Sequence, residues 1–351
     1  MAPGPDKVEL EQIWTRLQSE VESATHSTHP TGLVRRLVSN PPSAEVHLAI
    51  TLKDSLCAVL VAMPDSWDED ISHFPRWSGM SPAILVGNER PKPRKFLLLG
   101  QEAGSSTEVF RAVVADLIGA IGLAIPERVE QVIADRLERW KSFFEHAGGR
   151  GLGLEAQQGL FGELWLLGEH LIPILGAVRA LSGWTGPQRA NNDFQYGKHA
   201  IEVKTSSAKE HQKILVSSER QLSTVGLTSL NIAFISLAAS EGGGLTLAEQ
   251  VAATRTLLES DPPSLRMLDE KLIEAGYTDA HAGMYTTGYA VRNLKIFEIS
   301  EAFPMIRESE IPSGIGDISY SIVVSACEPF KISKEKVWAR ISEGKEKTRV
   351  L

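Results

Sequence analysis

The sequence predicts an α/β protein, on three observations. Its second half carries the element order helix, three strands, helix, strand. The strands there alternate apolar and polar residues or run wholly apolar, whereas the flanking segments repeat apolar residues at three- and four-residue spacing. The first half carries its own mixture of strands and helices, and Gly148-Gly149-Arg150-Gly151 separates the two. The expected organisation is an additional α+β region over residues 1–150, followed by a second domain over 151–351 with a C-terminal strand and helix extension.

The chain opens with an acidic helix over roughly 7–24. Glu45 to Met63 reads as two strands: Val46, Leu48, Ile50 and Leu52 alternate with His47, Ala49 and Thr51, and Lys53-Asp54-Ser55 makes the turn. Residues 64–94, rich in Pro, Trp and Asp, read as loops or a subdomain. Lys95 to Leu99 is a strand candidate and Val109 to Ile121 an apolar helix. A longer helix follows Pro126, with Val129, Ile133, Leu137, Trp140 and Phe144 on one face.

Beyond the glycine-rich break, Gly159 to His170 reads as a helix with Leu160, Leu164 and Leu167 in a stripe and Glu163 beside it. Glycine costs ~1 kcal/mol in a helix interior, so Gly159 and Gly162 suggest a close neighbour. Strands are expected at 192–196, 199–206 and 212–217. Ser218-Glu219-Arg220-Gln221 has the pattern of a capping box and predicts a short helix. Ser229 to Leu237 is a buried strand by its apolar density, and a helix is expected from Thr246, capped by Glu249. Further strands are expected near 287–299 and 316–324.

Composition narrows the classes. With 42% hydrophobic and 23% charged residues the chain reads as an ordinary soluble globular protein. No apolar run approaches the ~20 residues that span a bilayer, so no membrane association is expected. The N-terminus has no basic start followed by an apolar stretch, and two cysteines, Cys57 and Cys327, make no disulfide framework or zinc spacing. A cytoplasmic setting is the expectation. The net charge of −8 requires any polyanion site to be local. From Arg179 to Arg220 the balance reverses, with seven Lys/Arg against four Asp/Glu.

The stretch NNDFQYGKHAIEVKTSS, residues 191–207, holds the candidate chemistry. If Gly197-Lys198 is a two-residue turn, Tyr196 pairs with His199, Gln195 with Ala200, Phe194 with Ile201 and Asp193 with Glu202. Paired residues share a face, so Asp193, Gln195, Ala200, Glu202 and Lys204 fall on one side. Phe194, Tyr196, His199, Ile201 and Val203 fall on the other. A longer loop would shift this register. Opposed carboxylates repel unless water screens them or something neutralises them, and Mg²⁺, which takes oxygen ligands and keeps waters and phosphate oxygens, would do so. Lys204 would then steady charge on a phosphate or orient a water. An E-x-K triplet alone is commonplace; the paired Asp and the upstream Glu163 give it weight.

At these residues the sequence resembles the PD-(D/E)XK nuclease superfamily, whose restriction-endonuclease-like core is helix, three strands, helix, strand in a mixed sheet flanked by helices. More narrowly, GLFGELWLL (159–167), W-x-G-P (184–187), NNDF, IEVKTSS and SSERQL are similar to a bacterial group of PD-(D/E)XK members linked to restriction-modification and phage-defence loci. Weaker likeness extends through AFP (302–304) and DISY (317–320). The resemblance implies that Asp193 and Glu202 are metal ligands, that Lys204 is the catalytic lysine and that Glu163 adds to the metal site. It further implies the Val203 carbonyl as a ligand and Gln221 as a polar residue facing the site. Asn192 stands where the motif has proline. The implied activity is hydrolysis of DNA phosphodiesters with Mg²⁺, or Mn²⁺ in its place. The implied partners are DNA and a helicase, ATPase or methyltransferase of the same system, and a two-strand cut would call for a homodimer or two recruited copies.

Other chemistry is poorly represented. There is no H-E-x-x-H pair, no G-x-x-x-x-G-K-[ST] loop and no G-x-S-x-G elbow. Trp67, Trp77 and Trp184 could stack on bases or serve the core, His211 could meet phosphate or solvent, and His199 reads as a buried or edge histidine. Thr205, Ser206 and Ser207 could donate to phosphate or simply end their strand. The main alternative is a catalytically inactive DNA-binding or complex-forming subunit with a vestigial nuclease fold. A two-carboxylate glycosidase ranks below it, since only 7% of residues are aromatic.

Overall fold

The structure is a computed structural model that describes residues 7–23, 32–39, 43–77, 79–87, 93–147, 151–188, 190–316 and 318–343. Residues 148–150 of the expected break, and Asp317 of the DISY segment, lie outside the described residues. The chain forms two compact units, Met1–Arg150 and Gly151–Leu351.

The first unit is α+β. After α1 (Lys7–Ser23), five strands form an antiparallel sheet in the order β1-β2-β3-β5-β4: β1 (Leu33–Ser39), β2 (Val46–Thr51), β3 (Cys57–Ala62), β4 (Met80–Val86) and β5 (Lys95–Gln101). The turn after β2 holds Ser55 at a φ of 52°, and Thr51 Oγ1 accepts from Leu56 N–H. Helices α2 (Thr107–Leu123), capped by Ser106, and α3 (Val129–Ala147) complete the unit. Two of its strands were not expected. In β1 the sequence LVRRLVS sets two arginines side by side and spoils the alternation. In β4 it contains Pro82, which has no N–H to donate and is tolerated because β4 is an edge strand.

The second unit opens with α4 (Leu154–Leu166), which starts five residues before the expected helix. Its stripe of Leu160, Phe161 and Leu164 is buried. A widened, π-helical turn over Leu167–Leu171 leads into α5 (Ile172–Leu175), just before Pro173 removes a backbone donor. After α6 (Ala177–Ser182) come β6 (Phe194–Tyr196), β7 (His199–Ser206), β8 (Lys213–Val216), β9 (Ser229–Glu241) and β10 (Leu245–Thr246). They are followed by α7 (Leu247–Leu257), α8 (Pro262–Glu274), β11 (Thr287–Glu298), β12 (Tyr320–Val323), β13 (Lys331–Ile332) and α9 (Lys334–Glu343).

The sheet of this unit runs β10-β11-β9-β7-β6, with β13 also paired to β11. It is mixed: β7 and β9 are parallel, whereas β6/β7, β9/β11 and β10/β11 are antiparallel. Strand β9 is central and covered on both faces, which is why SLNIAFISL shows no alternation. Ala233, Ile235 and Leu237 point into a core with α4, α7 and α8. Leu230, Ile232 and Phe234 point into a second core with Ile214, Val216, Phe303 and Ile322. The Thr246 capping box on α7 is present with both of its hydrogen bonds.

The third strand and its sequel depart from expectation. β8 pairs with β12 in a separate two-stranded sheet rather than joining the main one. The segment from Ser218 forms successive turns, closed by Gln221 N–H to Ser218 O and Ser223 N–H to Arg220 O, instead of a short helix. The reason is tertiary. Glu219 turns inward and accepts from Ile318 N–H, and Gln221 spends its side chain on Ser217 N–H and on Glu202. Gln221, the capping partner of Ser218, is therefore engaged elsewhere.

Of the two glycines expected to mark close packing on α4, Gly162 does: a Cβ there would stand 2.3 Å from Thr205 Cγ2. Gly159 does not, since a Cβ would meet nothing within 4 Å. A tighter spot is Gly183, where a Cβ would come 2.0 Å from the ring of Tyr196, whose hydroxyl donates to Ala180 O at 3.0 Å. That buried ring cannot give way. Gly183→Ala is therefore expected to lower the unfolding free energy by ~1–3 kcal/mol, whereas Gly159→Ala should raise it by up to ~1 kcal/mol through helix propensity. Urea denaturation of the two variants checks both signs.

Candidate active site

The site is assembled from four segments of the second unit. Strand β7 supplies Glu202, Val203 and Lys204; the loop before β6 supplies Trp184, Gly186, Asn192 and Asp193; α4 supplies Glu163; and the turns after β8 supply Gln221. The hairpin has the register the sequence predicts, with Phe194↔Ile201, Gln195↔Ala200 and Tyr196↔His199, and Gly197 turns at a φ of 63°. Asp193 lies one residue beyond this ladder, and its Oδ2 accepts from Val203 N–H at 2.7 Å. The carboxylate so replaces the next backbone rung. The loop behind it is closed by Thr185 and Gly186 N–H, both donating to Asp193 O at 2.7 and 2.9 Å.

Glu202 is the most deeply placed charge, only 2% exposed. Its Oε1 meets Lys204 Nζ at 3.0 Å and accepts from Gln221 Nε2 at 2.5 Å. Its Oε2 is buried and has no hydrogen-bond partner. Lys204 follows two residues later, so the two side chains leave the strand on the same face. Asn192, buried where the motif has proline, donates to Gln221 O at 3.1 Å and so anchors the residue that holds Glu202.

Glu163 and Asp193 approach each other across Gly186. A Cβ at Gly186 would come within 2.8 Å of Glu163 Oε2 and 3.0 Å of Asp193 Oδ1, so the glycine leaves room for both carboxylates. Trp184 is fully buried and stacks against Phe194 with ring centroids 6.5 Å apart. Its indole N–H donates to Glu163 Oε2 at 2.7 Å. Its backbone carbonyl accepts from the buried Lys271 ammonium. Of the two readings open for Trp184, base-stacking platform or core, burial gives the core, and from there its indole orients Glu163. The signal was present in W-x-G-P, but only the fold shows that the tryptophan meets the helix and the glycine makes space.

The electrostatics follow from three carboxyl groups withdrawn from water near one ammonium. Burial, opposed by the Val203 N–H and by Lys204, pushes Asp193 up to about 6. Burial and then the nearby Asp193 charge push Glu202 up to about 8. Burial and then Asp193 hold Glu163 well above the ordinary carboxylate range, against the pull of the Trp184 N–H. Three carboxylates beside the single Lys204 ammonium therefore tend to retain protons, which a bound cation would displace. Among the described residues no three His, Cys, Asp or Glu side chains already gather around a metal position. Each of the three carboxylates nevertheless keeps one oxygen outside the bonds given above, all hard donors suited to Mg²⁺. The unpartnered Glu202 Oε2 fits the same ion.

The other candidates separate from the site. Trp67 is buried and donates to Glu130, and Trp77 stacks on Phe144. His199 is half-buried and shares a hydrogen bond with Ser229 Oγ at 2.8 Å. Thr205 Oγ1 accepts from Gln158, and Ser206 Oγ accepts from Ala208 N–H at the end of β7.

A helix and mixed sheet presenting carboxylates and a lysine in this way define a nuclease-like fold of the PD-(D/E)XK kind. The chain matches, over residues 10–325, the family described as "Putative PD-(D/E)XK family member (DUF4420)", and belongs to it. No curated protein and no solved structure matches the chain.

A pH dependence follows from the raised carboxyls. Their folded pKa values lie above the ~4 of an unfolded carboxylate, so the folded state binds these protons more tightly. The stability they contribute is present below that value and is lost as pH rises through 6 and 8. With chelator present, the melting temperature of the wild type is expected to fall between about pH 5 and 8 relative to Glu202→Gln. Millimolar Mn²⁺ should reverse the fall. A parallel pH course for the two proteins would show that Glu202 does not carry the effect.

Proposed function

We propose that this chain is a metal-dependent endonuclease hydrolysing DNA phosphodiester bonds. The observation that carries the reading is the buried Glu202, joined to Lys204, leaving an unpartnered oxygen beside Asp193 and Glu163. A buried carboxylate with one oxygen left unsatisfied is costly, and a cation would offset it. PD-(D/E)XK nucleases usually use divalent metals. In this reading Asp193 and Glu202 hold Mg²⁺, or Mn²⁺, with Glu163 and the Val203 carbonyl as further ligands.

When bound, such an ion supplies Lewis acidity at the phosphate and a water of lowered pKa. The chain's own groups do the positioning. Gln221 and Lys204 fix one oxygen of Glu202, Val203 N–H fixes one of Asp193, and Trp184 fixes one of Glu163. The Lys204 ammonium, tethered to Glu202, faces the negative charge that develops on the phosphate as the water oxygen attacks phosphorus and the P–O bond to the leaving group breaks.

The wider setting is part of the same proposal: a restriction or phage-defence system, in the cytoplasm, with a helicase, ATPase or methyltransferase as partner. The first unit would serve recognition or assembly, and two copies would cut two strands. Both cysteines are free and buried, in keeping with a reducing compartment. No described helix is long and apolar enough to cross a membrane. A second reading, an inactive DNA-binding or complex-forming subunit, is favoured by one observation: protein groups already occupy one oxygen of every carboxylate.

Cleavage of plasmid and linear DNA with Mg²⁺ or Mn²⁺ distinguishes the two. Wild type is expected to cut, and Lys204→Ala and Asp193→Ala to lose at least ~100-fold in rate. If no form cuts, calorimetry with Mn²⁺ decides. Uptake that requires Asp193 keeps the nuclease reading and calls for a partner; no uptake leaves the inactive subunit.

A further inference from the structure

Beside Lys204 the second unit carries a groove of about 540 Å³ between the start of α4, the end of β7 and the outer face of β8. We propose that it is a subsite for the nucleotide adjoining the scissile bond on one DNA strand, with Lys213 holding its phosphate and Leu215 packing against its sugar or base. The inference rests on the nuclease reading.

Three observations carry it. First, the groove is continuous with the chemistry, since Val203 and Lys204 line it. Second, β8 and the residue after it present Lys213, Leu215 and Ser217 to the groove at alternate positions, whereas Ile214 and Val216 between them are fully buried in the second core. Leu215 is 63% exposed, an apolar side chain left out on a strand that had a buried face to offer. Third, the charges differ in kind. Lys204 is spent on Glu202, but Lys213 is exposed and makes no ion pair with any described residue. In a chain of net charge −8, a free lysine beside a leucine and the hydroxyls of Thr205 and Ser217 fits an anion carried on a partly apolar body. Glu155, at the α4 wall, is the one carboxylate lining the groove.

Size narrows the ligand. A cavity of this volume is in the range that encloses a small molecule, so it would take about one nucleotide of a single strand and not the width of a duplex. His211, in the left-handed region at a φ of 54° and two residues before Lys213, lines the same groove.

The test is fluorescence anisotropy of a labelled DNA oligonucleotide with the full chain, in Ca²⁺ to suppress turnover, across a salt series. Lys213→Ala is expected to weaken binding by up to roughly eightfold at 0.1 M salt and to reduce the slope of log K against log salt by ~0.9 for a duplex probe. Leu215→Ser should weaken binding at every salt without altering the slope. Lys198→Ala, in the hairpin turn outside the groove, should leave both unchanged. Both groove side chains are exposed, and thermal melts confirm that each variant is folded. If Lys213→Ala and Leu215→Ser bind as wild type while wild type cuts DNA, the subsite is wrong and the nuclease reading stands. If wild type neither binds nor cuts DNA with Mg²⁺ or Mn²⁺, the subsite falls, and the nuclease reading falls with it only when Mn²⁺ uptake is absent too. Tighter binding of an RNA oligonucleotide of the same sequence would overturn the choice of DNA.

Discussion

A carboxylate at the bottom of a sheet, with water excluded and only one of its oxygens satisfied, is the constraint on which the second unit turns. Removing a charge of this kind from water costs several kcal/mol unless it is paired and hydrogen-bonded. Glu202 obtains part of that compensation from Lys204 on its own strand and part from Gln221. Gln221 is in turn held by Asn192, and its presence at Glu202 accounts for the turns that replace a helix after β8. A residue far along the chain thus adopts its backbone to satisfy a buried charge.

The scaffold makes this arrangement stiff. Strand β7 lies between β6 and β9, and both faces of the sheet are covered by apolar layers, so the side chains of Glu202 and Val203 have little freedom. Asp193 follows directly from the hairpin: once Tyr196 and His199 pair, its carboxylate lies where the next rung would form, and it accepts the Val203 N–H. Glu163 comes from another layer, brought near by the close approach of α4 to β7 at Gly162. Groups from a strand, a loop and a helix meet because the helix packs on the strand, a placement that precise catalytic geometry requires.

Some of this was legible along the chain because its causes are local. A two-residue turn with glycine first sets a hairpin register, and period two then decides which side chains share a face. The Thr246 and Glu249 pair formed its cap because neither had a competing partner. The same pattern at Ser218 failed because its capping partner, Gln221, did have one. Strand β4 was hidden by Pro82, which an edge position tolerates, and β1 by its paired arginines. For Trp184 the core and base-stacking readings both stood, because local spacing does not distinguish a tryptophan that faces solvent from one in the core; burial decides for the core.

What the sequence by itself determined is the α/β class, the hairpin and its register, and the identity of Asp193, Glu202 and Lys204 as charges that belong together. Those properties depend on turn chemistry and alternation over a few residues. The tertiary structure alone decided that Glu202 is buried with an unpartnered oxygen, that Trp184 and Gly186 set the place of Glu163, and that β8 leaves the main sheet to wall a groove with Lys213 and Leu215. Each of these rests on contacts between segments distant in sequence, where burial and competition for hydrogen bonds outweigh local preference.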